Sequence, residues 1–450
     1  MRNHGYRNFG FSLPHHILQP LTLCGPGLEF FFANPLAVSE KILTFASKLS
    51  MMATIHIKNV GPLKDTGEVE LNRLMLVIGK QSSGKSTFMK VLCHCRWVEK
   101  TLMVDDDSSA TDYGKERKFL DSLMTFHRFN PDFFSSDSYI RYNGDYITIE
   151  QNGNKTDAVI TRKENYEDRR YNTKLCFIPS ERNLLSAVKN LDKTYKATEL
   201  DVLLNYLLEW DEVKDFYSDK NRLRLSVAPN IQYFNDGGAD LIYLSQNGKK
   251  LPVFYASSGV QSAMPIEVMI DRYSVLVGER ASISKHDWRH IFDEMKNGNV
   301  EQSVIANKAG KAYYQSAQFF IEEPEQNLYP DSQKDLLLDI VRHLVKANMK
   351  GLVVLTTHSP YILSVLNVLM AEAKLYDYNE DGHFFSEIED FVNYDYYMSP
   401  GSYSAYYIND KGMFENLIDP ELPIISGLEL DKVSDWVEER ISKINELMYG

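Results

Sequence analysis

Apolar and polar positions alternate along "ATIHIKNV" (53–60), which predicts a half-buried strand. "LMLVIG" (74–79) is apolar throughout and predicts a short strand buried on both faces. A helix is expected from Gly84 to about Glu99. The segment 104–170 is polar and changeable. It predicts a helix near 115–127 and strands at 139–142, 145–150 and 156–161, closed by the charged connector "RKENYEDRRYN" (162–172). "KLCFIP" (174–179) returns to a buried strand. A helical block over 181–219 leads to strands near 231–234, 240–245 and 251–255. Helices are expected over 260–275 and 285–308. Strand (318–322), helix (332–348), strand (351–357) and helix (360–372) then follow in turn. That order predicts parallel strands joined by crossover helices. A small strand region and a terminal helix over 429–447 complete the pattern.

Composition changes this picture little. A chain of 450 residues, 44% hydrophobic and 25% charged, is an ordinary globular protein with room for a large core. Its net charge of −13 argues against a broad basic surface for nucleic acid. No apolar run approaches the roughly 18 residues a membrane helix needs. Cys24, Cys93, Cys95 and Cys176 lack a paired metal spacing. With no secretory signal they read as reduced thiols of a cytoplasmic protein. Residues 1–50 hold only a broken apolar stretch, "LEFFFANPLAV", before the well-patterned "MMATIHIKNVGPL". An unstructured leader and a natural start at Met51 or Met52 are expected.

Candidate chemistry changes the picture more. "GKQSSGKST" fits G-x-x-x-x-G-K-[ST], set between a buried strand and a helix. In such a loop Gly79, Lys80, Gln81, Ser82, Ser83 and Gly84 bring backbone N–H groups close to phosphate oxygens. Lys85 reaches the outer phosphates, Ser86 offers a hydroxyl to Mg²⁺, and Thr87 completes the first turn. "QFFIEE" is an apolar strand ending in acids. In an open parallel sheet those acids fall at the ligand-binding edge. Glu322 is then placed to hold Mg²⁺ through water, and Glu323 to activate the attacking water. "GLVVLTTHSP" delivers His358 one strand later, within reach of the γ-phosphate. "ASSGVQSAMPIEVMI" puts Ser257, Ser258, Gly259 and Gln261 at a helix start. That is a second anion site, of use if it covers the nucleotide of a partner chain.

Taken together, "GKQSSGKST", "SSGVQ", "FFIEEPEQNLYP" and "TTHSPYIL" resemble, in family order, the ABC-type ATPases of the AAA-15/AAA-21 group. These are the OLD-like and RecF-like enzymes related to SMC heads. The resemblance runs from "IHIKNVGPLKD" to "TTHSPYIL". It implies an α/β P-loop NTPase fold of ABC-ATPase type, with inserted helical and β segments. A domain over 51–372 is expected, interrupted at about 100–172, 190–250 and 276–314, with a small C-terminal α/β extension over 373–450. The resemblance makes Gly79–Thr87 the phosphate loop, Ser257–Gln261 a signature acting in trans, and Gln326–Tyr329 the following loop. It makes His358 the switch. In "CFIPSERNLL", Ser180, Glu181 and Arg182 stand where the family has a glutamine. The stretch after His358 is too short for the fused Toprim nuclease of some relatives, so any effector is expected to be a separate nuclease or toxin. An ATP- and Mg²⁺-dependent hydrolase is implied, working as a homodimer or higher homo-oligomer in bacterial anti-phage defence. The alternative is a DNA-repair or SMC-like ATPase acting on DNA. A transporter ATPase is disfavoured by the long stretch between Lys85 and Ser257. A module that binds nucleotide without turnover is the remaining reading.

Overall fold

The computed structural model describes residues 53–104, 110–164, 171–188, 195, 200–277, 314–346, 351–378, 393–418, 425 and 437–443. The chain divides into two compact units, Met1–Met51 and Met52–Gly450. The first, with the expected leader, lies outside the described residues, as does the helix expected over 285–308.

In chain order the main elements begin with β1 (Thr54–Val60), β2 (Leu63–Asp65), β3 (Val69–Glu70), β4 (Leu74–Gly79) and α1 (Lys85–Val104). Then come α2 (Lys118–His127), β5 (Phe134–Asn143), β6 (Ile147–Asn152), β7 (Val159–Arg162), β8 (Thr173–Ile178) and α3 (Val202–Val213). A four-strand run follows: β9 (Leu223–Arg224), β10 (Ile231–Asn235), β11 (Asp240–Leu244) and β12 (Lys249–Pro252). The rest is α4 (Ser258–Val275), β13 (Ser316–Glu322), α5 (Pro330–Lys346), β14 (Leu352–Thr357), α6 (Pro360–Tyr378), β15 (Tyr403–Ile408) and β16 (Phe414–Asn416).

The central sheet runs β16-β15-β4-β14-β13-β8. All its pairs are parallel except β15 with β16. Its strands are enclosed on both faces, and the alternation is visible residue by residue. Leu74, Leu76, Ile78, Phe319, Ile321, Val353 and Leu355 pack into one core with α3, α4, α5 and α6. Met75, Val77, Phe320, Leu352 and Val354 pack into the other with α1, α2 and the antiparallel sheet. Successive strand side chains point to opposite faces, so a continuous apolar run is what a sheet covered on both sides requires. Each fully buried aliphatic side chain there contributes about 1.5–3 kcal/mol.

The antiparallel sheet orders as β2-β1-β5-β6-β7, with β3 also on β1. The segment expected as an insertion over 100–172 therefore builds directly on the first strand: Ile55 pairs with Tyr142 and Ile57 with Ile140. Helix α1 runs to Val104, beyond the expected Glu99, because Leu102 and Met103 are still buried. The acid-ended "LMVDDD" thus starts as the last turn of α1, and its aspartates lie outside the described residues. Glu99 anchors α1 to the β5–β6 hairpin. It accepts from Tyr146 N (2.7 Å) and Tyr142 Oη (2.5 Å) and pairs with Arg96 (3.1 Å). A buried carboxylate is stable only when so satisfied. Cys93 and Cys95 are both buried, because α1 is enclosed on nearly every side; with Cys176 they are free thiols.

Two of the expected boundaries fall at described residues. The stretch after 372 supplies β15, which pairs in parallel with β4 from Tyr403↔Leu74 to Ile408↔Gly79. It is part of the central sheet. The segment expected as an insertion over 276–314 starts and ends in a bridge between Val277 and Tyr314.

Candidate nucleotide site

The site sits at the carboxyl edge of the central sheet, where β4, β14 and β13 end side by side. Thr357 pairs with Ile78, and Glu322 with Thr356. At the end of β4 the chain turns through Ser82 (φ +62°) and Gly84 (φ +109°) into α1. Only glycine takes the second angle without strain. A Cβ on Gly84 would also lie 2.6 Å from Leu63 Cδ2, so the β1–β2 turn braces the loop. A Cβ on Gly79 would lie 2.6 Å from Ser83 Oγ. The helix closes at once, with Phe88 N on Gly84 O (2.9 Å), leaving the N–H groups of the first turn for a ligand.

Lys85 is only 6% exposed. Its Nζ donates to Gly79 O and Lys80 O, each at 2.9 Å, and so bends back over the loop. Burial pushes its pKa down to about 8, opposed by the charges of Glu323, Glu325 and Glu322 in that order. Those influences place the phosphate-loop cation among the carboxylates the sequence set more than 230 residues away. Ser86 is exposed at the helix start. Lys80 pairs with Asp410 on the β15–β16 turn at 2.7 Å.

The three carboxylates lie in different surroundings. Glu322 is 3% exposed. Its Oε2 accepts from Ser180 N (3.2 Å), and its Oε1 has no hydrogen-bond partner among the described residues. Glu323 follows at φ +45°, with its N–H on Thr356 O (2.9 Å). Glu325, given no role from sequence, accepts the His358 N–H through Oε1 at 2.7 Å. His358 Nε2 lies 3.7 Å from Glu323 Oε1, both side chains being about one-third exposed (36% and 39%). The His358 pKa is lowered, first by burial and next by the Lys85 charge, against the pull of Glu323 and Glu325. The ring is therefore neutral at pH 7.

The structure thus brings the phosphate loop, Lys85, Glu322, Glu323 and His358 together. It places the signature apart. Ser257 caps α4 by accepting from Val260 N (3.4 Å), and Ser258 is exposed. The start of α4 packs on the loop after the acids, so that a Cβ on Gly259 would be 2.9 Å from Asn327 O. Ser262 Oγ donates to Gln326 Oε1 at 3.3 Å. Gln261 Nε2 is spent on its own chain, at Phe254 O (2.9 Å) and Val253 O (3.2 Å). Among the described residues no hydrogen bond joins Ser257–Gln261 to the phosphate loop.

The residues suit Mg²⁺ and a polyphosphate. A buried, unpartnered carboxylate oxygen on Glu322 and an exposed hydroxyl on Ser86 are hard oxygen donors of the kind Mg²⁺ takes. Among the described residues no three His, Cys, Asp or Glu side chains form a metal cage. A site completed by phosphate oxygens and water does not need one. No described helix is long and apolar enough to cross a membrane.

Two solved structures are similar to this chain at low identity. The SMC head domain from Thermotoga maritima is 8% identical, with 70% of this chain and 92% of that one covered, at a TM-score of 0.34. An SMC head bound to the C-winged helix domain of ScpA is 9% identical, covering 69% and 90%, at a TM-score of 0.36. No curated protein matches. A family model described as an AAA ATPase domain matches residues 133–363. Its span begins after the phosphate loop and takes in β5, the signature, the acidic strand and His358. With just over half of its length matched, this chain belongs to the AAA ATPase domain family.

Proposed function

We propose that the protein hydrolyses ATP to ADP and phosphate at this edge, and that two copies close head to tail around two nucleotides. One observation carries the hydrolytic reading: Lys85, Glu323 and His358 converge on one point although they come from three separate strand ends. Lys85 and the first-turn N–H groups bind the phosphates. Glu323 takes a proton from water as the water oxygen bonds to the γ-phosphorus. The bond from that phosphorus to the bridging oxygen breaks, and ADP leaves with the electron pair. His358, neutral, donates to the γ-phosphate. Ser86 and Glu322 would hold Mg²⁺, which when bound neutralises charge on the phosphate oxygens.

Dimer closure is supported by the separation of the signature from the chain's own phosphate loop. It is also supported by the exposed aromatics beside the signature and the following loop: Phe254, Tyr255 and Tyr329, the last 74% exposed. A γ-phosphate gripped by both copies favours the closed state, and its loss releases it. The resemblance to OLD-like ATPases supports a switch that controls a separate effector in anti-phage defence.

Phosphate release by the wild type and by Glu323→Gln tests the chemistry. The variant should bind ATP as tightly as the wild type, turn over on the order of 100-fold or more slowly, and accumulate as a dimer with ATP. Hydrolysis at the wild-type rate would remove Glu323 from its role.

A further inference from the structure

Arg182 is among the largest side chains fully shut off from solvent, at 0% exposure, and among the described residues it hydrogen-bonds to no carboxylate, although the charges of Glu325, Glu323 and Glu322 reach it. A buried guanidinium with no direct carboxylate partner persists only where several acceptors need it. Here all its partners are backbone carbonyls. Nη1 donates to Glu322 O (2.6 Å) and Pro179 O (3.3 Å), Nη2 to Glu323 O (2.6 Å), and Nε to Ser262 O (2.9 Å).

The two shortest bonds grip the peptide planes on either side of the Glu323 Cα. That Cα is held at φ +45°, in the left-handed region a glutamate rarely adopts. Fixing both planes fixes where the Glu323 Cβ points. Pro324 leaves the second plane no N–H of its own with which to be held. The third grip, on Ser262, reaches the first turns of α4, whose cap is the exposed signature.

We propose that Arg182 is a positioning residue: it aims the Glu323 carboxylate and ties that aim to the signature helix. This rests on the reading of Glu323 as the base. A movement of α4 on closure is passed to Glu323 through one rigid planar group. A lysine keeps the charge but has no fork to span the three elements.

Arg182→Lys and Arg182→Gln, each alone and combined with Glu323→Gln, test this. Folding is followed by circular dichroism, ATP affinity by calorimetry, and kcat and KM by phosphate release. The lysine variant should fold, bind ATP within about threefold of wild type and lose at least about tenfold in kcat with KM unchanged. Combined with Glu323→Gln it should be no slower than Glu323→Gln alone, because a positioning residue acts only through the group it positions. The inference is overturned by any of four results: a wild-type kcat, equal losses in affinity and turnover, multiplying losses in the double variant, or failure of both variants to fold. Wild-type turnover by Glu323→Gln alone would instead sink the proposed function.

Discussion

Two strand-to-helix junctions leave the same edge of the central sheet, β4 into α1 and β13 into α5, with β14 between them. They handle the turn with opposite chemistry. The first uses glycines and a cation. Its Ser83 N–H closes the loop on Lys80 O at 3.2 Å, and its lysine bends back over carbonyls of its own loop. The second uses acids. Its carbonyls are consumed by Arg182, and its one left-handed residue beside the strand is a glutamate. The first junction is made to receive a ligand with its main chain. The second holds its main chain rigid so that side chains meet the ligand. Preorganised groups of this kind do most of the work in phosphoryl transfer.

Four substitutions or conditions probe the contrast, from largest to smallest effect. Lys85→Ala should weaken ATP binding on the order of 100-fold or more, read by calorimetry, since charge-assisted bonds to phosphate disappear. Gly84→Ala should cost about 2 kcal/mol in urea unfolding, through the positive φ and the clash with Leu63. The pH dependence is next. In the proposed site phosphate binding needs the Lys85 ammonium, whose pKa burial pushes down to about 8. ATP affinity should hold from pH 6 to 7.5 and fall about tenfold per unit above pH 8. The fold itself responds with the opposite sign. Between pH 8 and the ordinary lysine value, folded Lys85 binds fewer protons than unfolded, so this group favours the fold more as pH rises. A flat affinity from pH 7 to 9.5 would show that Lys85 is not buried in solution. Smallest is Ser257→Ala, which should cost about 1 kcal/mol of stability by removing the α4 cap.

The first junction was legible from sequence because everything it needs is local: a buried strand, a spaced pair of glycines and Lys85 within nine residues. Glu322, Glu323 and His358 were legible for the same reason, each at the end of an apolar run. Glu325 was not. Its partner is the backbone of His358, and no pattern marks a carboxylate as reserved for a distant N–H. Arg182 was visible only as a departure from the expected glutamine. An arginine in "PSERN" reads as a solvated turn, and its inward course depends on carbonyls 140 residues away. The polar start of β5, "FSSDS", hid five residues of strand, because three of them, Ser135, Ser136 and Asp137, are exposed and break the apolar pattern. The place of β15 was hidden too, since pairing register between distant strands leaves no local mark.

That placement governs when the site comes into being. β4 is made early, but its neighbours β14 and β15 are made late, and until β14 arrives it has no partner on either flank in the parallel sheet. The loop proposed to cradle phosphate hangs from that strand. A ribosome-bound chain therefore carries the whole motif through most of its synthesis with no platform to hold it, and capture at the proposed site waits for the final quarter of the polypeptide.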